Sequence, residues 1–421
     1  MLNKFFHKLS LIAADKALRG RILFLIGAIV VFRFLAAIPI PGVDRNALEQ
    51  LFVNNQFLGL LNVFSGGGFS HVSIVLLGVG PYITASIIMQ LATVIFPKVK
   101  DMYSEEGEAG RTQFISISRM ITIPIAILQA VAFLSLLESQ HVLQTLTPFA
   151  FAINVFLVAA GSMFLMWIGE LITEFGIGNG VSLIIFAGIV ARIPSGISQA
   201  LFSASTANIP AYVGFAALAI VVIYAVVVVS EAERSIPIAY ARQARGGVGA
   251  ATYLPIRLLQ AGVIPIIFAL SLLLLPQMIF SALAAIGQSW AIGLATAYAT
   301  FTANPWEYGG AYFLLVIMFT FFYTTITFEP HRIADNLQKS GAFVPGVRPG
   351  RETENFIGAI VTRITLPGAI FLGFVAVIPF IIEGITGITA ILVGGTALLI
   401  AVQVLLDLIR KIDAHASLKE Y

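Results

Sequence analysis

Residues 149–171 read FAFAINVFLVAAGSMFLMWIGEL, in which only Asn154, Ser162 and Glu170 carry polar side-chain chemistry of any strength. A helix needs about 20 mostly apolar residues to cross roughly 30 Å of hydrocarbon. Inside lipid the backbone must satisfy its own hydrogen bonds, so a run of this kind is helical. Nine further runs of similar character lie at 22–38, 75–96, 114–137, 181–202, 210–230, 254–275, 309–328, 364–382 and 386–408. Composition agrees, with 58% hydrophobic and only 11% charged residues over 421 positions and a mean hydropathy of +0.96. A soluble chain of this length needs more charge to cover its surface. The chain reads as an all-α polytopic membrane protein with ten transmembrane helices. A shorter stretch, Leu58 to Phe69, is broken by Ser65-Gly66-Gly67-Gly68 and is too short to span, so it reads as a re-entrant half-helix.

The basic residues orient these spans. Cytoplasmic loops collect Lys and Arg. With residues near span ends assigned to the adjoining gap, 21 of the 24 basic residues fall in the tails and the even-numbered gaps, only Arg45 and Arg192 fall opposite, and Arg33 lies deep within a span. Both termini are therefore expected in the cytoplasm. No short apolar stretch followed by a cleavage site is seen ahead of the first span, so no removable signal peptide is expected.

Five spans precede the polar stretch Ser203 to Asn208 and five follow it, which divides the chain into 1–205 and 206–421. An odd number of spans per half gives any repeat an inverted topology. A short echo supports one: Gly78-Val79-Gly80-Pro81 at span two and Gly262-Val263-Ile264-Pro265 at span seven. Glycine and proline weaken a helix at such points, so two interrupted spans at matching places are expected.

Several chemistries are missing. Ion-coupled transporters keep titratable groups in mid-span, although each costs roughly 2.5–3.5 kcal/mol at the bilayer centre. Here the candidates reduce to Arg33, with Glu170, Glu174 and Asp407 near cytoplasmic ends. The five histidines lack metal spacing, Cys is absent, and Gly-Lys never occurs, which removes a phosphate-binding loop. No paired acid and base suits a membrane-embedded enzyme. A solute transporter or an enzyme is thus disfavoured, no cofactor is called for, and any work must be driven from outside.

Two cytoplasmic gaps, about 231–257 and 329–363, are long for a compact bundle. The first carries Arg234, Arg242 and Arg245. In the second, Phe343 and Val344 beside Arg348 are expected to place apolar surface in water, as a docking surface does.

Several motifs, in order, resemble the SecY/Sec61-alpha family of protein-conducting channels. They are Arg21-Ile22-Leu23-Phe24 with Phe32-Arg33-Phe34 and Ile38-Pro39-Ile40-Pro41-Gly42; Met163-Phe164-Leu165-Met166-Trp167-Ile168-Gly169-Glu170; Gly176-Ile177-Gly178-Asn179-Gly180; and Ala334-Asp335-Asn336-Leu337 running into Phe343-Val344-Pro345-Gly346. The resemblance covers about 20–412; the short termini and a variable extracellular loop at 286–308 depart from it. It implies two inverted halves hinged between spans five and six, and a passive conduit that translocates unfolded secretory polypeptides and releases transmembrane segments sideways into lipid. It further implies a plug within about 58–72, including Phe64, Ser65, Gly66, Gly67, Gly68 and Phe69. The pore ring would be Val79, Ile83, Val181, Ile185, Ile264, Ile267 and Ile400. A ring of such side chains dewets a narrow throat without selecting among peptide side chains. Thr84, Gln90 and Gln260 would be polar residues of a lateral gate formed by spans two, three, seven and eight. Arg242, Arg245 and Arg348 would dock a cytosolic motor, SecA, or the ribosome. The small membrane subunits SecE and SecG, signal peptides and nascent chains are the other implied partners, and the bacterial inner membrane is the implied location.

Overall fold

The computed structural model describes residues 15–43, 72–104, 107–140, 142–143, 147–202, 209–240, 252–260, 262, 264–284, 288–386 and 392–417. The half-helix expected at 58–69 and the loop arginines Arg242 and Arg245 lie outside them. Helices α1 (Lys16–Ala36), α2 (Gly80–Ile95), α3 (Pro97–Ser104), α4 (Gly107–Ser139), α5 (Pro148–Phe175), α6 (Gly180–Phe202) and α7 (Ile209–Glu231) come first. Strands β1 (Glu233–Tyr240) and β2 (Thr252–Arg257) follow, then α8 (Ile264–Ala284), α9 (Ser289–Ala303), α10 (Pro305–Thr327) and α11 (Pro330–Lys339). Strand β3 (Ala342–Phe343), α12 (Arg351–Thr386) and α13 (Leu392–Ser417) complete the order.

Each of the ten apolar runs overlies a helix. Among the described residues, Gly107–Glu138, Pro148–Phe175, Pro305–Lys339 and Arg351–Ile382 are long and apolar enough to cross a membrane unaided, and Gly80–Ile95 joins Pro97–Tyr103 through a 114° bend. Large apolar side chains such as Phe149, Phe156 and Trp167 remain exposed, as a lipid-facing surface requires. The helices share one core, from Leu25 and Phe32 on α1 to Ile400 and Val404 on α13. The N-terminal part of α10 packs on α12 by fitting aromatic rings against glycine: a Cβ on Gly309 would sit 3.3 Å from Phe380, and one on Gly373 2.7 Å from Phe313.

Four expectations need correction. The Gly-Val-x-Pro pairs start helices rather than interrupt them: α2 begins at Gly80 and α8 at Ile264. Gly78 and Gly262 both adopt φ 57°, a left-handed conformation that costs glycine little. The proline then falls in the first helical turn, where its missing N–H has no partner to lose. The opening of the run 254–275 is accordingly strand β2, and α8 starts ten residues later than the hydropathy suggests. The loop placed at 286–308 contains α9, held on α8 by the Tyr298 hydroxyl, which donates to the Leu273 carbonyl, and by an edge contact between Tyr298 and Phe280.

The fourth correction concerns the long loops. They fold together: β1 pairs antiparallel with both β2 and β3 in the order β2-β1-β3. Ile236 and Ile238 alternate with exposed neighbours along β1, the period of a half-buried strand. Ile236, Ile256, Val344, Ile357, Ile360 and Val361 form a second core beneath this sheet. Val344 is therefore buried and Phe343 half-buried, not displayed to water, because β3 carries them onto β1 and α12. Among the described residues, this sheet and two isolated bridges, Pro39–Ser73 and Val43–Leu143, are the departures from an all-helical chain. Helix α12, with 36 residues or about 54 Å at 1.5 Å per residue, is long enough to reach from the bundle into this module.

Candidate functional site: buried aliphatic residues and an adjoining cavity

Helix α8 packs against α2 and α4 on one side of the bundle, and α13 packs against α6 and α7 on the other. On and beside these helices several branched aliphatic side chains are buried. Val79, Ile83, Ile185, Ile267 and Ile400 are all buried in the main core, and Val181 and Ile264 pack on it half-exposed. Spacing explains the pairs on single helices. Val79 and Ile83, Val181 and Ile185 are four apart, and Ile264 and Ile267 three apart, so each pair shares a helix face. Their spread over four helices distant in sequence is a tertiary fact.

At the end of the bundle that bears the basic loops lies a cavity of about 240 Å³. Its wall includes Asn179, Ser182, Ser230, Gln260, Gln403 and Asp407, and Ile264 belongs both to this wall and to the aliphatic cluster. Polar bonds brace the cavity. Gln403 Nε2 donates to Ser230 Oγ at 3.3 Å, and the Arg410 guanidinium donates to the Ser230 carbonyl at 2.7 Å, so α13 caps the C-terminal end of α7. Arg410 also lies 3.8 Å from Asp407. The chain between α1 and α2 is tied as well: Ile40 N donates to the Val72 carbonyl and Ile74 N to the Ile38 carbonyl. Buried non-helical backbone at this depth is tolerable only when enclosed by protein, and α5 supplies the cover. The Ser162 hydroxyl donates to the Gly78 carbonyl at 2.7 Å.

The polar residues expected at a lateral gate behave differently from one another. Thr84 donates to the Gly80 carbonyl of its own helix and receives a long 3.5 Å contact from Gln129 Nε2 on α4; among the described residues its bonds stay on α2 and α4. Gln90 Oε1 is buried with no partner among the described residues. Gln260 lines the cavity. Arg348 is exposed on the module, where its carbonyl accepts from Thr353 Oγ1 at 2.8 Å and so starts α12. Sequence reasoning passed over Gln129, Ser162, Ser230, Gln403 and Arg410. Polar residues within apolar runs were the available signal, but nothing in the sequence names their partners. Among the described residues no group of three or more His, Asp or Glu side chains is placed to hold a metal ion.

Comparison with known proteins gives the same assignment from three directions. The SecY family model matches residues 73–409. The protein translocase subunit SecY of Thermotoga maritima is 40% identical over 418 residues, covering 96% of this chain and 94% of that one. The subunit of the same name from Mycobacterium bovis is 39% identical over 428 residues and 96% of both chains. Among solved structures, one describing how the SecY plug domain stabilises the closed translocation channel and maintains a membrane seal superposes with a TM-score of 0.70 at 20% identity, covering 96% of this chain and 93% of that one. Sec61 in the canine ribosome-channel complex superposes at 0.65 with 19% identity, over 94% and 92% of the two chains. With its membrane-embedded helical bundle and this match over nearly its whole length, the chain belongs to the SecY family of protein translocase channel subunits, which are channels and not enzymes.

Proposed function

We propose that polypeptides cross this channel by entering the polar cavity and passing the ring formed by Val79, Ile83, Val181, Ile185, Ile264, Ile267 and Ile400. One observation carries the reading: Val79, Ile83, Ile185, Ile267 and Ile400, from four separate helices, are all buried in the main core, and Ile264, packed on that core, also lines the cavity. Such a ring repels water and ions when narrow and offers no fixed hydrogen-bond partner that would favour one peptide side chain over another. The halves 1–205 and 206–421 would part along the seam of α2 and α4 against α8, letting apolar segments leave for lipid, while Ser203–Asn208 hinges them. Gln90 and Gln260 fit polar positions on that seam, and Thr84 fits one that its own half already occupies. The plug assigned to Phe64–Phe69 falls outside the described residues.

The basic-loop end faces the cytoplasm in this reading, with both termini on that side and the protein in a bacterial inner membrane. The module bearing Arg348 docks the driver, either the SecA motor or the ribosome, with Arg242 and Arg245 assisting. Similarity to a canine ribosome-bound channel supports the second driver. SecE and SecG complete the assembly.

The chain has no cysteine, so a single introduced thiol is unique. Cysteines placed at 83, 185, 267 and 400, one per variant, are expected to cross-link to a stalled secretory chain. Labelling at none, or at only one, of these positions would remove the throat assignment.

A further inference from the structure

Most buried hydroxyls in this bundle serve their own helix. Ser118, Thr122, Thr320, Thr324 and Thr365 each donate to the carbonyl four residues earlier. Ser162, fully buried on α5, instead reaches across 84 residues of sequence to the Gly78 carbonyl. That carbonyl lies just outside the α2 ladder, whose first bond here runs from Ile83 N to the Val79 carbonyl. The helix before it is replaced by a run of tight turns, with Gly78 N donating to Val75 and Gly80 N to Leu77. The contact is close-packed as well as bonded. A Cβ on Gly161 would lie 2.0 Å from the Ile74 carbonyl oxygen, so only glycine lets α5 approach this far.

The same seat occurs in the second half of the chain, without its hydroxyl. A Cβ on Gly368 of α12 would lie 2.7 Å from the Leu258 carbonyl oxygen. Ile74 and Leu258 each stand four residues before a glycine at φ 57°, Gly78 and Gly262. The residue after Gly161 is Ser162, whereas the residue after Gly368 is Ala369, which has no donor. The first seat is thus fastened by a side-chain hydroxyl from the covering helix, and the second has no hydroxyl at the matching position.

We propose that Ser162 is a positioning residue for the throat: its hydroxyl fixes the Gly78 carbonyl and thereby the backbone that presents Val79 and Ile83. The proposal rests on the throat reading. Its consequence is that losing the hydroxyl loosens the seal, whereas losing an equally buried hydroxyl elsewhere does not.

The test is ionic conductance of resting channels, purified as the complete translocase and reconstituted in planar bilayers. Ser162→Thr and Ser162→Val have nearly the same volume and differ in the hydroxyl, so any overpacking at this tight site cancels between them. The Val variant is expected to leak several-fold more than the Thr variant, Ser162→Ala more than the unaltered channel, and Ser118→Ala no more than it. Equal leak in the Val and Thr variants, or a rise with Ser118→Ala as large as with Ser162→Ala, would overturn the proposal. Loss of nascent-chain cross-links at 83, 185, 267 and 400 in the otherwise unaltered channel would instead defeat the throat reading itself, so the two failures are distinguishable.

Discussion

Single atoms decide much at Gly161 and Arg348, in opposite environments. At Gly161 a methyl group would collide with the carbonyl oxygen of Ile74, and because that atom is backbone it cannot rotate away. Gly161→Ala is expected to destabilise the protein by about 1–3 kcal/mol or more, the cost of forcing packed elements apart. Gly27, exposed on α1 with nothing within 4 Å of an added Cβ, is the control: alanine there is expected to be neutral or stabilising by up to about 1 kcal/mol, since glycine is a poor helix residue. Thermal unfolding of both variants in one detergent checks the difference. Arg348 is exposed, and among the described residues it holds its loop through its backbone carbonyl. Arg348→Glu therefore leaves the fold intact while reversing the charge offered to a partner. It is expected to cut motor-driven export into membrane vesicles about tenfold or more, a loss of roughly 1.4 kcal/mol or above in productive docking, with normal levels of inserted protein. Full export by this variant would withdraw Arg348 from the docking surface.

Among the elements, the module built from the two long loops is where local pattern and final structure diverged most. Phe343 and Val344 read as an exposed tip because the sequence shows an apolar pair inside a run of Gly and Pro. The partner that buries Val344 is a strand about a hundred residues earlier, and no local period announces it. The module also carries a pH response. His331 on α11 lies 3.1 Å from Glu354 on α12 and 3.7 Å from Asp335 on its own helix. The hydrogen bond to Glu354, followed by the charge of Asp335, raises its pKa above the usual 6.5; Glu329 adds to the effect, and its own close partner is Arg332 at 2.8 Å. A raised pKa means that the folded module binds the proton more tightly than the unfolded chain does. The contribution is fully present below about pH 6.5 and is lost as pH rises through the raised value. The ion pair is exposed, so it tunes the attachment of α11 to α12 rather than holding the fold. An NMR titration of His331 is expected to give a midpoint above that of a free histidine, and Glu354→Gln to bring it down. A midpoint unmoved by that substitution would show that Glu354 is not the cause.

For the molecule as a whole, the decisive experiment remains the set of cross-links from a stalled chain to positions 83, 185, 267 and 400, because only a shared path joins α2, α6, α8 and α13. The sequence by itself determined the membrane class and the ten helical runs, and it carries the charge bias from which an orientation is argued. These follow from length, hydropathy and charge, which are properties of single segments. Its inverted echo at Gly78 and Gly262 was legible too, although its meaning changed: the two motifs are helix starts, since glycine at positive φ ends the preceding turn and proline suits the first turn of the next helix. The family motifs proposed a set of ring residues, but which of them are buried is a matter of how segments pack, and only the tertiary structure decided it. The same holds for the burial of Val344 and for the partner of Ser162. A hydroxyl in an apolar run advertises a need for a hydrogen bond; packing in three dimensions chooses the carbonyl that answers it.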